Sequence, residues 1–209
     1  MAFGPRIPPG RAGRMWLRRR ADTAARGRDQ LDRKLRILIP EQQRLRIHAD
    51  RSRAAWATAC EGARAWLLRA TLLGGQDAVR NATPPQPVGV EIIWTTAMGL
   101  SYPADVRLVD PPAQPPAPAG NAAVAPTAAA FRAALLAGVR SAAAQEALRR
   151  VDTEIAVTRR RLRALDKRWL PWLNDSLIAL NLSLEQAEQE DGMRLRRAAA
   201  TQPDRRTPS

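Results

Sequence analysis

The chain has 209 residues and a formal net charge of +14, set by 34 lysines and arginines against 20 carboxylates, with a single cysteine. Arginine supplies nearly all of the positive charge, lysine standing only at Lys34 and Lys167. One cysteine excludes an internal disulfide and a thiolate metal cage, no run approaches the roughly 20 apolar residues of a membrane span, and an apolar content weighted toward alanine excludes a thick globular core.

In chain order, residues 1–10 read as a tail rich in Pro and Gly, with no apolar stretch of signal-peptide length, so a cytosolic protein is expected. Residues 11–73 are helical in character. Stepping by four and three from Leu17 gives Ala21, Ala24, Arg28, Leu31, Leu35, Leu38, Gln42, Leu45, Ala49, Ser52, Trp56, Ala59, Ala63, Trp66, Ala70 and Leu73. Only Arg28, Gln42 and Ser52 on that path are polar, and such spacing keeps one narrow stripe facing a partner helix over many turns. At 1.5 Å per residue a helix of this length spans about 90 Å. Pro40 falls inside it and either bends it or ends it before Glu41.

Residues 74–127 are rich in Pro and Gly. Gly74-Gly75 is the glycine pair expected at a helix end. Val88, Val90, Ile92 and Trp94 alternate as a strand does, a second strand lies at 100–102 or 106–109, and Met98-Gly99 falls between them. This predicts a small β-hairpin. The proline run at 111–118 predicts an extended linker. Residues 128–200 are helical again, with Leu148, Val151, Ile155, Thr158, Leu162, Leu165 and Trp169 in the four–three rhythm. The rhythm slips to Leu173 and Leu177, beside Pro171, and resumes at Leu180, Leu184 and Ala187. Residues 201–209 read as a tail.

The expected fold is mainly α: a long antiparallel two-helix coiled coil with a small central β-hairpin and a Pro-rich linker. Its seam is carried by Leu17, Leu31, Leu35, Leu38, Leu162, Leu165, Leu173, Leu180 and Leu184. An antiparallel pairing of Leu17 with Met193 would put Pro40 and Pro171 at one height as a shared bend. It would also gather Arg18, Arg19, Arg20, Arg194, Arg196 and Arg197 into a basic collar.

No phosphate loop, metal constellation or cofactor motif is present in the sequence, and His48 is a lone histidine on a basic helix. The arginine surplus predicts an acidic partner. The basic faces lack interleaved aromatics for base stacking, so a nucleic-acid-binding helical hairpin is the lesser reading, beside that of a basic coiled-coil adaptor.

Three stretches carry a family resemblance. Residues 17–35, with Arg26-Gly27 and Leu31 followed by Lys34, resemble the N-terminal signature of the D subunit of the V-type/A-type rotary ATPases. Residues 158–173, through Arg161, Ala164, Leu165 and the Leu170-Pro171 pair, are similar to that family's C-terminal motif, as is the acidic-then-basic ending at 185–197. Met98-Gly99 with Pro103 resembles the segment of the family's hairpin. The resemblance implies a non-catalytic central rotor shaft that couples ATP hydrolysis or synthesis to ion translocation. Its implied partners are catalytic and non-catalytic ring subunits, the companion F subunit of the stalk and a membrane-side socket subunit, with no cofactor, no nucleic acid and no membrane insertion. The shaft would lie on the cytoplasmic side, peripheral to the membrane. Arg18, Arg19, Arg20, Arg26, Arg28, Arg194, Arg196 and Arg197 are then the residues expected to face the interior of the ring. Pro40 and the basic stretch 42–53 depart from the family's pattern.

Overall fold

The computed structural model describes residues 5–83, 86–111 and 121–201. The elements are α1 (Gly10–Asn81), β1 (Gly89–Ala97), β2 (Leu100–Val109), α2 (Val124–Ala164), a π-helical turn (Leu165–Trp169) and α3 (Leu170–Thr201). The chain is mainly helical, with long N-terminal and C-terminal helices and one two-stranded antiparallel sheet. It divides into two compact units, Met1–Arg33 with Arg159–Ser209, and Lys34–Thr158. All of the proline run except Pro111 lies outside the described residues, as does the C-terminal tail from 202.

In the first unit, the opening stretch of α1 packs on α3. Leu17, Ala24 and Leu173 form the buried cluster, and Trp16, Leu165, Trp169, Trp172, Leu177 and Leu180 close around it. Gly13 approaches its neighbours closely: a Cβ there would stand 3.2 Å from Leu180 Cδ2 and in collision with the Pro8 carbonyl oxygen. The pairing is therefore Leu17 with Leu173 and Gly13 with Leu180. The expected partner of Leu17, Met193, is 51% exposed. The correction has a physical origin. A seam of repeated leucine and alanine looks alike after a shift of one or more heptads, so periodicity alone does not choose among registers.

In the second unit, 34–81 of α1 runs antiparallel to 124–158 of α2. Lys34 Nζ lies 2.7 Å from Glu154 Oε1, and Gln42 donates to Asp152 Oδ1. Further along, the Trp56 indole fills the notch left at Gly138, Thr127 Oγ1 donates to the Trp66 carbonyl at 3.0 Å, and Asn121 Nδ2 donates to the Ala70 carbonyl at 3.2 Å. Partners step down α2 as they step up α1. Leu35, Leu38, Leu45, Ala49, Ala63 and Ala70 are buried, each on the four–three path, whereas Trp56 (43%) and Leu73 (66%) are exposed. Small alanines toward the end of the seam let the two helices approach closely, and each then buries little area.

Three local features differ from simple periodicity. The helix does not end at Pro40: α1 continues through it, and past its first residue, Gly10, the residue with non-helical dihedrals is Gly75 (φ 70°, ψ −179°). That region is essentially restricted to glycine, so Gly75 kinks the chain where helix termination is expected, and a last helical piece runs to Asn81. α2 likewise begins at Val124, ahead of residue 128. The rhythm slip coincides with the π-helical turn Leu165–Trp169, which inserts extra backbone into one turn just before Pro171. Pro171 belongs to the first unit and Pro40 to the second. The shared elbow loses the Leu17–Met193 register on which it depended.

The hairpin closes through Met98 (φ 49°) and Gly99 (φ 76°), the two positive φ values that a two-residue type I′ turn requires. β2 spans both candidate second strands and carries one extra residue opposite the Ile93/Trp94 step, a bulge that accommodates Pro103.

Candidate partner-binding surfaces

Charge is divided unevenly. The first unit holds 20 of the 34 basic side chains and 10 of the 20 acidic ones, a surplus of 10, and the longer second unit holds 14 and 10, a surplus of 4. The larger positive surplus thus lies on the first unit.

On the first unit, Arg18, Arg19, Arg20, Arg26 and Arg28 are exposed on the outer side of α1. Arg20 lies flat over Trp16, 4.6 Å from the ring centroid, and Arg28 pairs with Asp29 at 3.0 Å. Arg194, Arg196 and Arg197 are exposed on α3, and Arg194 lies 3.6 Å from both Glu190 and Asp191. Toward that end Arg11 of α1 pairs with Glu188 of α3 at 3.0 Å. With Leu180 against Gly13, Arg194 stands fourteen residues further along α3, about 20 Å at helical rise. The two arginine sets are therefore not one collar. The first flanks the buried Leu17, and the second lies further along α3, beyond Glu188. The shifted register separates them.

Beside the first set, on the side away from Arg194, the structure adds an aromatic feature of which periodicity places only Trp169 on the seam. Trp169 and Trp172 stack with centroids 5.2 Å apart and planes 26° from parallel. With Leu31, Leu165, Arg161 and Arg168 they line a groove of about 790 Å³. Trp169 is the last residue of the π-helical turn, and Trp172 lies in the first turn of α3. The remaining seam residues of this unit, Leu31, Leu162, Leu165, Leu180 and Leu184, are half-buried.

On the second unit the hairpin rests on both helices. Tyr102 is 4% and Val106 3% exposed, and Tyr102 Oη donates to Glu41 Oε1 at 2.7 Å. Burial raises the Tyr102 hydroxyl above its ordinary range, helped by the hydrogen bond to Glu41. The Arg44 guanidinium, donating to Glu41 at 2.9 Å, is the chief reason the Glu41 carboxyl lies below its own. On α2, Arg150 donates to the Ser101 carbonyl at 3.2 Å and lies 4.9 Å from the centroid of the Trp94 ring. Glu146 orients Arg150 through a 2.7 Å hydrogen bond and takes a second, from Arg149, at 2.6 Å.

These two guanidiniums, Arg149 first, hold the Glu146 carboxyl at about 2. A carboxylate with a lowered pKa contributes stability that is complete above its ordinary value of 4.5 and is lost as pH falls through the folded value. A side-chain carboxyl titration by NMR is therefore expected to show Glu146 with a midpoint near pH 2, and Arg150 to keep its hold on Ser101 and Trp94 through mild acid. Replacing both Arg149 and Arg150 with glutamine should return the midpoint to the ordinary range.

Among the described residues no group of His, Cys, Asp and Glu is arranged to hold a metal ion, and no helix is long and apolar enough to cross a membrane. His48 is exposed and Cys60 half-buried. What the surface presents is docking chemistry: basic stripes, a tryptophan groove and an anchored hairpin.

Comparison with known proteins agrees with that character. A family model for the ATP synthase D subunit matches residues 15–200. The chain is 31% identical over 209 residues to the V-type ATP synthase D subunit of Anaeromyxobacter sp. (strain Fw109-5), covering 96% of each. It is 30% identical over 194 residues to the V-type ATP synthase D subunit of Thermus thermophilus, covering 91% of this chain and 86% of that one.

Proposed function

Because the chain belongs to the ATP synthase D-subunit family, and so is a stalk component of a multi-subunit rotary ATPase, we propose that it is the non-catalytic central rotor shaft of that machine. In this reading it couples ATP hydrolysis or synthesis in a ring of catalytic and non-catalytic subunits to ion translocation in the membrane sector. The nucleotide sites belong to the ring. The companion F subunit of the stalk and a membrane-side socket subunit complete the contacts, and the shaft works on the cytoplasmic face without entering the membrane.

The observation that carries the reading is the family match, which runs through both long helices and the hairpin. The physical chemistry supports it. A rotor must be stiff, asymmetric and not sticky. Seams of leucine and alanine supply stiffness along helix pairs, and a hydrated arginine surface attracts acidic walls at long range without apolar adhesion. The uneven charge favours an orientation in which the unit with the surplus of 10, carrying Arg18, Arg19, Arg20, Arg26, Arg28, Arg194, Arg196 and Arg197, enters the ring.

The test is reconstitution. The purified chain is expected to turn over no ATP alone and to restore ATP-driven rotation of a labelled particle when added to ring subunits lacking it. Photo-crosslinkers at Arg19 and Arg196 should reach ring subunits. ATP turnover by the pure chain that disappears on a point substitution within it would sink the non-catalytic reading. Crosslinks confined to the socket subunit would reverse the orientation.

A further inference from the structure

β1 is an edge strand without the features that normally protect an edge. Among the described residues it pairs with β2 and with no other strand. It is nine residues long, reads Gly-Val-Glu-Ile-Ile-Trp-Thr-Thr-Ala, and carries one charge, no lysine and no proline. The hairpin's bulge lies on β2, so β1 is not twisted out of reach by it. Every residue from Gly89 to Trp94 is exposed, including Val90 (46%), Ile92 (45%), Ile93 (39%) and Trp94 (48%). β2 carries most of the ties to the helices, through Tyr102 to Glu41, Ser101 to Arg150 and Asp105 to Arg140 at 3.5 Å, while β1 adds one at its inner end, Trp94 beneath Arg150. The hairpin is therefore fixed along β2 and leaves the edge of β1 outward.

Soluble proteins blunt such edges with lysine, proline, bulges or a covering element, because a long apolar edge is a template for another strand. We propose that β1 is a strand-addition site that receives an extended segment of a neighbouring subunit. The outward-pointing backbone amides and carbonyls of β1 would pair with that segment, and Val90, Ile92 and Ile93 would take its apolar side chains on alternate faces.

The balance of charge selects the occupant. A second copy of this chain would set the second unit's surplus of 4 against another surplus of 4, and the repulsion opposes close edge-to-edge pairing. The only charge of β1, Glu91, already stands across from Arg107. The fitting partner is a strand of alternating apolar residues from a protein with an acidic surplus. The assembly in which that protein occurs is the rotary complex of the stalk reading, on which this inference rests.

The test is backbone amide exchange at 89–97, measured on the isolated full-length chain and on the complex carrying it. In the complex, the outward-pointing amides of β1, every second residue, are expected to slow by about tenfold or more, as each is taken into a new hydrogen bond worth about 1 kcal/mol net. Ile93→Lys supplies the second arm. Ile93 faces Asp105 across the hairpin, so the lysine makes a favourable cross-strand pair that keeps the hairpin itself, while placing a cation on the edge. The variant is expected to retain wild-type exchange at 100–109 and to lose most of the complex-dependent slowing in β1. Unchanged β1 exchange on assembly overturns the inference while leaving the stalk role standing. Slowing that already appears in the isolated chain and grows with its concentration overturns it in favour of self-pairing. A chain that never assembles with ring subunits overturns both.

Discussion

Replacing Leu17 with alanine is expected to destabilise the first unit by about 3 kcal/mol, the middle of the range for truncating a buried leucine. Leu17 is fully buried, and its partners Leu173 and Ala24 are 1% and 8% exposed. The cluster is thin, with Trp16, Leu165, Trp169 and Leu180 closing around it as half-buried neighbours. No second layer of side chains stands behind them to collapse into the space, so most of the cavity cost remains. Urea unfolding followed by helical circular dichroism and by tryptophan fluorescence would measure the loss. Leu173→Ala should cost a similar amount, and the double variant less than the two together, because both substitutions empty the same contact. Additive losses would mean that the two leucines do not meet and that the pairing of Leu17 with Leu173 is wrong. In the rotor reading, the same substitution softens the helix pair that enters the ring, and ATP turnover should persist while its coupling to rotation falls.

Val151→Asp is expected to cost more, about 3–5 kcal/mol at neutral pH, and to unravel the second unit around it. Val151 is fully buried on α2, within a turn of the residues that make the polar ties Gln42 to Asp152 and Lys34 to Glu154. A carboxylate placed there has no new cation opposite it and must be desolvated. Desolvation raises its pKa above the unfolded value, so the penalty is full at neutral pH and relaxes as pH falls and the group protonates. Recovery of helix content on mild acidification would be the signature. Val151→Ala loses only apolar contact and should show no such recovery. A charged variant as stable as the alanine one would indicate that water reaches the seam at this position.

Much of the local structure was legible in the order of residues. The buried positions of α1 other than Gly13 are Leu17, Ala24, Leu35, Leu38, Leu45, Ala49, Ala63 and Ala70, all on the four–three path, because a helix with one narrow apolar stripe has only one side to bury. The hairpin turn at Met98-Gly99 was legible for a similar reason, since alternation flanking a glycine leaves few places for a two-residue turn. The same logic failed at Arg28 and Leu73, which occupy the stripe and are exposed. Their burial depends on whether a partner residue lies across from them, which the stripe itself does not encode.

The amino-acid sequence by itself determined the helical class, the seam, the hairpin, the lack of a phosphate-loop motif and the arginine excess, because each follows from residue type and spacing along one chain. Tertiary structure alone decided the register, and with it the separation of Arg18, Arg19 and Arg20 from Arg194, Arg196 and Arg197. In the first unit register is set by the Leu17–Leu173 contact, the close approach of Leu180 to Gly13 and the Arg11–Glu188 pair, and in the second by sparse polar ties: Lys34 with Glu154, Gln42 with Asp152, Thr127 with the Trp66 carbonyl and Asn121 with the Ala70 carbonyl. A leucine–alanine seam can slide past itself by a heptad at little cost in apolar contact, but these hydrogen bonds and ion pairs form at one offset only. The stacked Trp169–Trp172 pair was hidden for a related reason. The slip in rhythm was visible in the sequence, but whether it relaxes as a long supercoil change or as a single wide π-helical turn depends on the packing around Leu17 and Leu173, which exists only in the folded unit.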